Sequence, residues 1–211
     1  MGNRTTLRQR IYEQLKAEIM NCSLAPGLVL SENRLSNRFR ASKTPIREAL
    51  TSLVQDRLVE YFPNRGFMVT SISVADIQEI FDARLFFEAG LYRLALRHMP
   101  DAEIDNLENE CCARGPRQHE QKPEAFLQSN LKFHLTLARA ARNHRLFWYY
   151  EILMNEAQRL FYMDLTRHPD EFQWAHGHDR ILRALRSRDE NGGVIAIREA
   201  LEGARRRILD A

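Results

Sequence analysis

The stretch that most constrains the fold of this chain runs from Ser31 to Leu50 and reads SENRLSNRFRASKTPIREAL. It contains two short segments with helical periodicity, and only the tripeptide Ala41–Lys43 lies between them, which leaves room for a turn and nothing longer. Thr44 suits the N-cap of the second helix and Pro45 its first position. The stretch therefore predicts a helix-turn-helix.

The second of these helices has an apolar and a polar face. The apolar residues recur at helical spacing and are Ile46, Ala49, Leu50, Leu53 and Val54. The polar face carries Arg47 near the helix N-terminus, beside Thr44, Glu48 and Thr51. Because the N-terminal residues of a recognition helix enter the major groove, this layout favours a DNA-reading element. An ordinary helical hairpin with a solvated face fits the same pattern.

The flanking segments complete the prediction of a winged helix. An amphipathic helix over 7–20 is indicated by apolar residues at every fourth position, Leu7, Ile11, Leu15 and Ile19. Two β-prone runs at 58–62 and 67–70 flank Pro63–Gly66, which predicts a β-hairpin, or wing. Its tip carries Asn64 and Arg65, which suit contacts to a phosphate or a narrow minor groove.

The remainder of the chain is helical in pattern, so the predicted fold class is mainly α. A winged helix-turn-helix domain over 1–70 is followed by a linker, 71–73, and an all-α bundle over 74–211. Helices are predicted at 74–99, 102–114, 123–142, 145–167, 170–188 and 194–209. Proline and glycine residues, among them Gly192–Gly193, are expected to separate them. Such a short linker favours mechanical coupling between the two parts.

Charge is distributed unevenly between these parts. Residues 1–70 contain eleven Lys/Arg and six Asp/Glu, a balance of +5, whereas residues 71–211 contain twenty and twenty-two, a balance of −2. A basic module on a near-neutral body is typical of a phosphate-binding head. No apolar run approaches the roughly 18 residues that span a bilayer, and no signal peptide is evident, so a cytoplasmic protein without a membrane partner is expected.

Chemistry-bearing motifs are sparse. Cys22 is isolated and Cys111–Cys112 are adjacent, which gives neither a disulfide framework nor a metal-binding CxxC motif. The sequence contains no P-loop, nucleophile elbow or dinucleotide fingerprint, so nothing in it indicates an enzyme.

Three of the predicted bundle helices place polar residues on their apolar stripes. These residues are Arg84, Glu88, Asn130, His134 and His178. Buried polar groups are costly unless they are satisfied, so the cluster is either a closed polar network or the lining of a ligand cavity.

The same cluster contains part of a metal site. Two histidines and a carboxylate can hold zinc or nickel, but the position four residues before His134 is Asn130, and no histidine follows His178. A weakly bound divalent ion at His134 and His178 therefore needs Glu199, Glu202 or a ligand to complete its coordination.

Several motifs occur together in an order that is specific to one family. They are Leu24-x-Pro26-Gly27, Leu30-x-Glu32-x-x-Leu35, Ser42-Lys43-Thr44-Pro45-Ile46-Arg47-Glu48-Ala49-Leu50, Pro63-Asn64-Arg65-Gly66 and, in the bundle, Arg84-x-x-x-Glu88, Phe133-His134, Asn143, His178, Ala184-Leu185 and Asp189. In these motifs the chain resembles the GntR superfamily of bacterial transcription regulators, in its FadR-type branch with an FCD effector domain.

The resemblance implies a homodimer that holds two winged helices over a palindromic operator in double-stranded DNA. It also implies a small organic acid effector in the bundle that alters DNA affinity. The DNA contacts that it implies are Asn33, Arg34, Ser42, Lys43, Thr44, Pro45, Arg47, Asn64, Arg65 and Gly66, among which Lys43 and Arg47 read bases. The effector contacts that it implies are Arg84, Glu88, Asn130, His134 and His178.

The chain departs from the family pattern at three places. Lys43 replaces a more frequent arginine and lacks its planar fork, so the base preference is expected to be relaxed there. Arg40 and Ala41 stand where glycine and valine are usual. Many FCD domains hold a metal through an aspartate and three histidines, and the matching positions here are Asn130, His134, His178 and, at or near Ala200, no histidine. A metal-free or metal-poor pocket is therefore expected.

The leading prediction is a transcription regulator, a repressor, whose operator affinity depends on a carboxylate-type metabolite. The alternative is a constitutive DNA-binding dimer whose bundle only dimerises and contains a closed polar network. A metalloenzyme with a DNA-binding appendage would need a more complete ligand set than this sequence contains.

Overall fold

The computed structural model describes residues 6–111, 123–167 and 176–210. These residues form two compact units, one ending at Ser73 and the other beginning at Val74. Across the described ranges, no helix combines the length and the apolar character that a bilayer crossing requires.

The first unit is a three-helix head with a small sheet. Its elements in chain order are α1 (Leu7–Met20), β1 (Val29–Leu30), α2 (Glu32–Phe39), α3 (Lys43–Gln55), β2 (Val59–Phe62) and β3 (Gly66–Val69). Ile11, Leu15 and Ile19 of α1 are fully buried, as the periodicity predicts, whereas Leu7 in the first turn is 44% exposed. The predicted helix-turn-helix and wing are confirmed.

Helix α3 begins earlier than the sequence predicts. Ser42, in extended backbone conformation, is the N-cap, and Lys43 is the first helical residue, so the predicted N-cap at Thr44 is wrong. Pro45 then occupies the third position of the first turn, where its missing N–H has no helical acceptor to lose. The turn before α3 is made by Arg40, which adopts a left-handed conformation with φ of 50°.

The sheet has a third strand that the sequence prediction lacks. The strands pair antiparallel in the order β1-β3-β2, with Val29 opposite Met68 and Tyr61 opposite Phe67. A strand of two residues carries no detectable alternation, so β1 could not be found from the pattern. Gly66 has a φ of +78°, which allows the chain to turn back from the wing tip into β3.

The second unit is a helical bundle, as predicted. Its helices are α4 (Val74–His98), α5 (Asp101–Cys111), α6 (Pro123–Ala140), α7 (His144–Arg167), α8 (His176–Arg186) and α9 (Glu190–Leu209). Helix α4 packs against α6, α7 and α9 and lies at the centre of the unit. The predicted helical positions 112–114 and 170–175 lie outside the described residues.

Helix α9 contains the glycine pair that was expected to precede it, so the predicted start at residue 194 is wrong. Asp189 caps the helix, and its Oδ1 accepts a hydrogen bond from the Gly192 amide at 2.9 Å. A Cβ atom at Gly193 would lie 1.9 Å from Cζ of Tyr92 on α4. The glycine here permits close helix packing rather than ending a helix, a distinction that composition does not reveal.

Candidate DNA-binding face and buried polar cavity

The predicted DNA-binding residues lie on three parts of the head. Asn33 and Arg34 are in the first turn of α2, the segment from Ser42 to Arg47 is at the start of α3, and Asn64–Gly66 form the wing tip. All are exposed except Pro45 and Gly66, which are half-buried. The apolar positions of α3 face the head core, so the polar positions are left on the outer face of the helix.

An open groove of about 600 Å³ runs along the exposed face of α3. It brings together the predicted residues Lys43, Thr44 and Arg47, and it continues past Glu48, Thr51, Ser52 and Gln55. Arg8 of α1 also lines this groove. The sequence prediction missed Arg8, because its place beside α3 depends on how the two helices cross.

Arg47 is paired with Glu32, the first residue of α2. The Arg47 Nε atom donates to Glu32 Oε1 at 2.8 Å, and Nη2 donates to Oε2 at 3.1 Å. The hydrogen bonds from Arg47 lower the pKa of the Glu32 carboxyl below its usual value, against a smaller opposing effect of desolvation. The pair joins the two helices of the helix-turn-helix through a charged, bidentate contact.

In the bundle, the five predicted effector-binding residues line one cavity of about 200 Å³. Arg84 and Glu88 come from α4, Asn130 and His134 from α6, and His178 from α8. Phe161, Ile181, Ile197 and Leu201 contribute apolar surface, and Arg207 and Glu199 line it from α9.

A chain of polar contacts runs through this cavity. Arg84 Nε donates to Glu88 Oε1 at 2.7 Å, and Arg84 Nη2 lies 3.5 Å from His134 Nε2. A guanidinium can only donate, so the contact with Arg84 is a hydrogen bond only where His134 Nε2 accepts, and the other ring nitrogen, Nδ1, faces Glu88 Oε2 at 3.4 Å. His178 Nε2 lies 3.4 Å from the same His134 Nε2 atom, and its ring stacks on Phe133 at 3.9 Å between centroids.

Burial and charge set the protonation of this chain. Burial by itself raises the pKa of Glu88, but Arg84 and His134 lower it by more, so that the pKa falls from 4.5 to about 2. Burial, followed by the neighbouring His134, lowers the pKa of His178 well below its usual value. The cavity therefore holds an ionised carboxylate and a neutral His178 at neutral pH.

The Nη1 atom of Arg84 is a polar atom of the cavity without a hydrogen-bond partner in the described part of the chain. Arg84 is 1% exposed, and its Nη1 atom has no hydrogen-bond partner among the described residues. Phe81 and Phe161 lie beside the guanidinium carbon at 5.7 and 5.1 Å from their ring centroids. A buried guanidinium nitrogen without an acceptor is costly, so this atom suits either an acceptor supplied from outside the chain or the buried Tyr150 hydroxyl, which interacts with Arg84 and Glu88.

The same side chains form an incomplete metal site. His134 and His178 bring two Nε2 atoms together, but Arg84 places a cation 3.5 Å from one of them. Glu199 reaches the cavity while its carboxylate pairs with Arg180, and Glu202 is not among the described residues that line it. No group of three or more His, Cys, Asp or Glu side chains in the described ranges is arranged to hold a metal ion. The donor set is smaller than that of a structural zinc site.

The chain matches two family profiles that divide it in the same way as the structure. Residues 7–69 match the profile of the bacterial regulatory proteins of the gntR family, and residues 79–203 match the FCD domain. The FCD match alone covers more than half of the chain.

Relatives of known type support this assignment. The HTH-type transcriptional repressor RspR of Escherichia coli is 27% identical over 196 residues, which are 93% of this chain and 86% of that protein. In fold, E. coli McbR/YncC superposes with a TM-score of 0.81 at 21% identity, over 97% of this chain and 98% of the other. A GntR transcriptional regulator from a Rhodococcus species gives a TM-score of 0.80 at 23% identity over the same shares. The chain therefore belongs to the gntR family of bacterial regulatory proteins, in the branch with an FCD domain, and is a DNA-binding transcription regulator rather than an enzyme.

Proposed function

We propose that this protein is a repressor that binds a palindromic operator as a homodimer and changes its operator affinity when a small organic acid occupies the bundle cavity. The unpartnered Nη1 atom of the buried Arg84 is the observation that carries the proposal. The name of the RspR repressor supports the sign of regulation. The proposed domains are 1–70 for DNA binding and 74–211 for effector binding and dimerisation, with 71–73 as linker.

The head is proposed to bind DNA through the exposed face of α3 and its neighbours. Lys43 and Arg47 read base edges, because they project from the start of the helix into the open groove. Arg8 adds a phosphate contact from α1. The further phosphate and flanking contacts are Asn33, Arg34, Ser42, Thr44, Pro45, Asn64, Arg65 and Gly66.

The effector is proposed to be a carboxylate that completes the hydrogen bonding of Arg84. Its oxygen accepts from Nη1, the nitrogen that neither Glu88 nor His134 engages. Asn130 donates a further hydrogen bond from the cavity wall, and His178 lines the same cavity. We infer that the site works without a metal, since a ligand anion can be held by the Arg84 cation directly.

A constitutive regulator is the second candidate, and one observation favours it. Arg84, Glu88, His134 and His178 already contact one another in an unbroken chain. Such a chain would suit a closed network whose purpose is to fix the bundle.

A thermal-shift screen distinguishes the two candidates. The full-length protein is heated with organic, sugar and amino acids, each with and without Zn²⁺ or Ni²⁺ and after treatment with a chelator. Effector regulation predicts that an acid raises the melting temperature without added metal and that Asn130→Ala weakens this shift. No stabilisation by any compound would favour the constitutive regulator. One tightly held metal ion per subunit, found by elemental analysis, would contradict the metal-free site.

A further inference from the structure

The contact between Glu32 and Arg47 is bidentate, whereas an incidental surface ion pair is often held by a single hydrogen bond. Both carboxylate oxygens are engaged, one by Nε at 2.8 Å and the other by Nη2 at 3.1 Å. The side chain of Glu32 is 21% exposed, while that of Arg47 remains 65% exposed. The Glu32 side chain is thus largely covered, and the Arg47 side chain lines the groove along α3.

The contact leaves a specific edge of the guanidinium open. Arginine has five N–H donors in a rigid plane, and Glu32 occupies the edge formed by Nε and Nη2. The edge formed by Nη1 and the second hydrogen of Nη2 is left for another partner. Two parallel donors on one edge match the O6 and N7 acceptors of guanine in the major groove.

We propose that Glu32 is a positioning residue for base recognition, which holds the guanidinium of Arg47 so that its free edge faces the bases. The proposal rests on the proposed role of Arg47 as a base reader. The carboxylate fixes a long side chain that would otherwise sample many rotamers, and it neutralises a cation that would otherwise bind any phosphate. Glu32 therefore acts on sequence discrimination more than on total affinity.

Stability alone does not explain the pair. Exposed ion pairs contribute little to folding free energy, and the head contains a second one between Glu18 of α1 and Arg38 of α2. That pair also engages both carboxylate oxygens, but Arg38 does not line the α3 groove. Glu18→Gln is accordingly a matched control for the loss of a bidentate ion pair in the head.

The test uses full-length protein and a pool of double-stranded DNA with a randomised central segment. Wild type, Glu32→Gln, Glu32→Asp, Arg47→Ala and Glu18→Gln each select from the pool, and the bound DNA is sequenced. Arg47→Ala should lose the base preference at one position of each half-site, by about tenfold or more. Glu32→Gln and Glu32→Asp should weaken the preference at that same position, whereas Glu18→Gln should retain it.

Each outcome can be assigned. If Arg47→Ala loses a base preference that both Glu32 variants retain, the positioning role is wrong and the base-reading role stands. If Arg47→Ala weakens binding to all sequences equally, Arg47 is a phosphate contact, and both the base-reading role of Arg47 and the positioning role of Glu32 are wrong. Melting curves for each variant identify a loss of fold. If Glu32→Gln lowers the melting temperature, the Glu32→Asp variant tests the positioning role instead. Aspartate keeps the negative charge at the N-terminus of α2 but is too short to hold Arg47 in the same way.

Discussion

Arg8 of α1 lines the groove beside Lys43 and Arg47, and we propose that it extends the DNA-binding face beyond the helix-turn-helix. Replacing Arg8 by glutamine should weaken binding to operator and random duplex alike, since a phosphate contact carries no sequence information. The slope of log affinity against log salt should fall by about one. Arg10→Gln is the control, because Arg10 is exposed on the same helix but does not line the groove. Equal salt slopes for wild type and Arg8→Gln would contradict the assignment.

The contrast between Arg47 and Arg8 shows which residues of the α3 groove a sequence can reveal. Arg47 follows from periodicity, because the apolar face of α3 fixes the direction of its polar face, whereas Lys43 follows from the family resemblance. The position of Arg8 beside α3 depends on how α1 and α3 cross, and the ion pair of Glu32 with Arg47 depends on how α2 and α3 cross. A sequence pattern does not show how separate helices cross. The sequence places Glu32 in a motif but does not indicate that its carboxylate meets a residue 15 positions later.

At the scale of elements, the pair of Arg84 and Glu88 on α4 couples the cavity to the stability of the bundle. Both side chains are almost fully buried, so Arg84→Ala leaves an ionised carboxylate without its main partner. This change should cost about 3 to 5 kcal/mol of unfolding free energy. The double variant Arg84→Met/Glu88→Gln removes both charges and should be far less destabilised in urea unfolding. Similar losses in the two variants would show that the pair contributes through packing rather than charge.

Acidification should weaken the bundle through the same carboxylate. The pKa of Glu88 is lowered from 4.5 to about 2 in the folded state, so the unfolded chain binds the proton more readily. Unfolding free energy should therefore fall as the pH is lowered from 4.5 towards about 2. Urea unfolding at a series of pH values checks this, and the Arg84→Met/Glu88→Gln variant should show a smaller decline. An equal decline in both proteins would assign the acid sensitivity to other groups.

The helices were more predictable than the details that connect them. Amphipathic periodicity over long segments predicted the bundle helices that lie in the described residues, and polar residues on their stripes predicted which side chains meet in the cavity. The order of contacts from Glu88 through His134 to His178 was not predictable, because it depends on distances between helices. The start of α9 was missed because Gly193 serves packing against Tyr92.

For the whole molecule, a homodimer on a palindrome implies a defined spacing of contacts. Two recognition helices in successive major grooves on one side of the duplex lie roughly 34 to 36 Å apart, about one helical turn. Light scattering should therefore give the mass of a dimer both free and on DNA, and hydroxyl-radical footprinting should protect two segments separated by about one turn. A monomer in solution that protects a single half-site would contradict the proposed assembly.

The short strand β1 ties the base of the wing to the segment that leads into α2. Val29 pairs with Met68, and the Leu28 carbonyl and Gly27 amide both bond to Val69, so the chain entering α2 and the base of the wing share one hydrogen-bonded frame. Insertions or deletions in that frame would disturb the helix-turn-helix itself. Length changes confined to the tip, residues 63–65, leave these bonds intact. The tip is thus the part of the sheet that can change in length without disturbing the frame that supports α2.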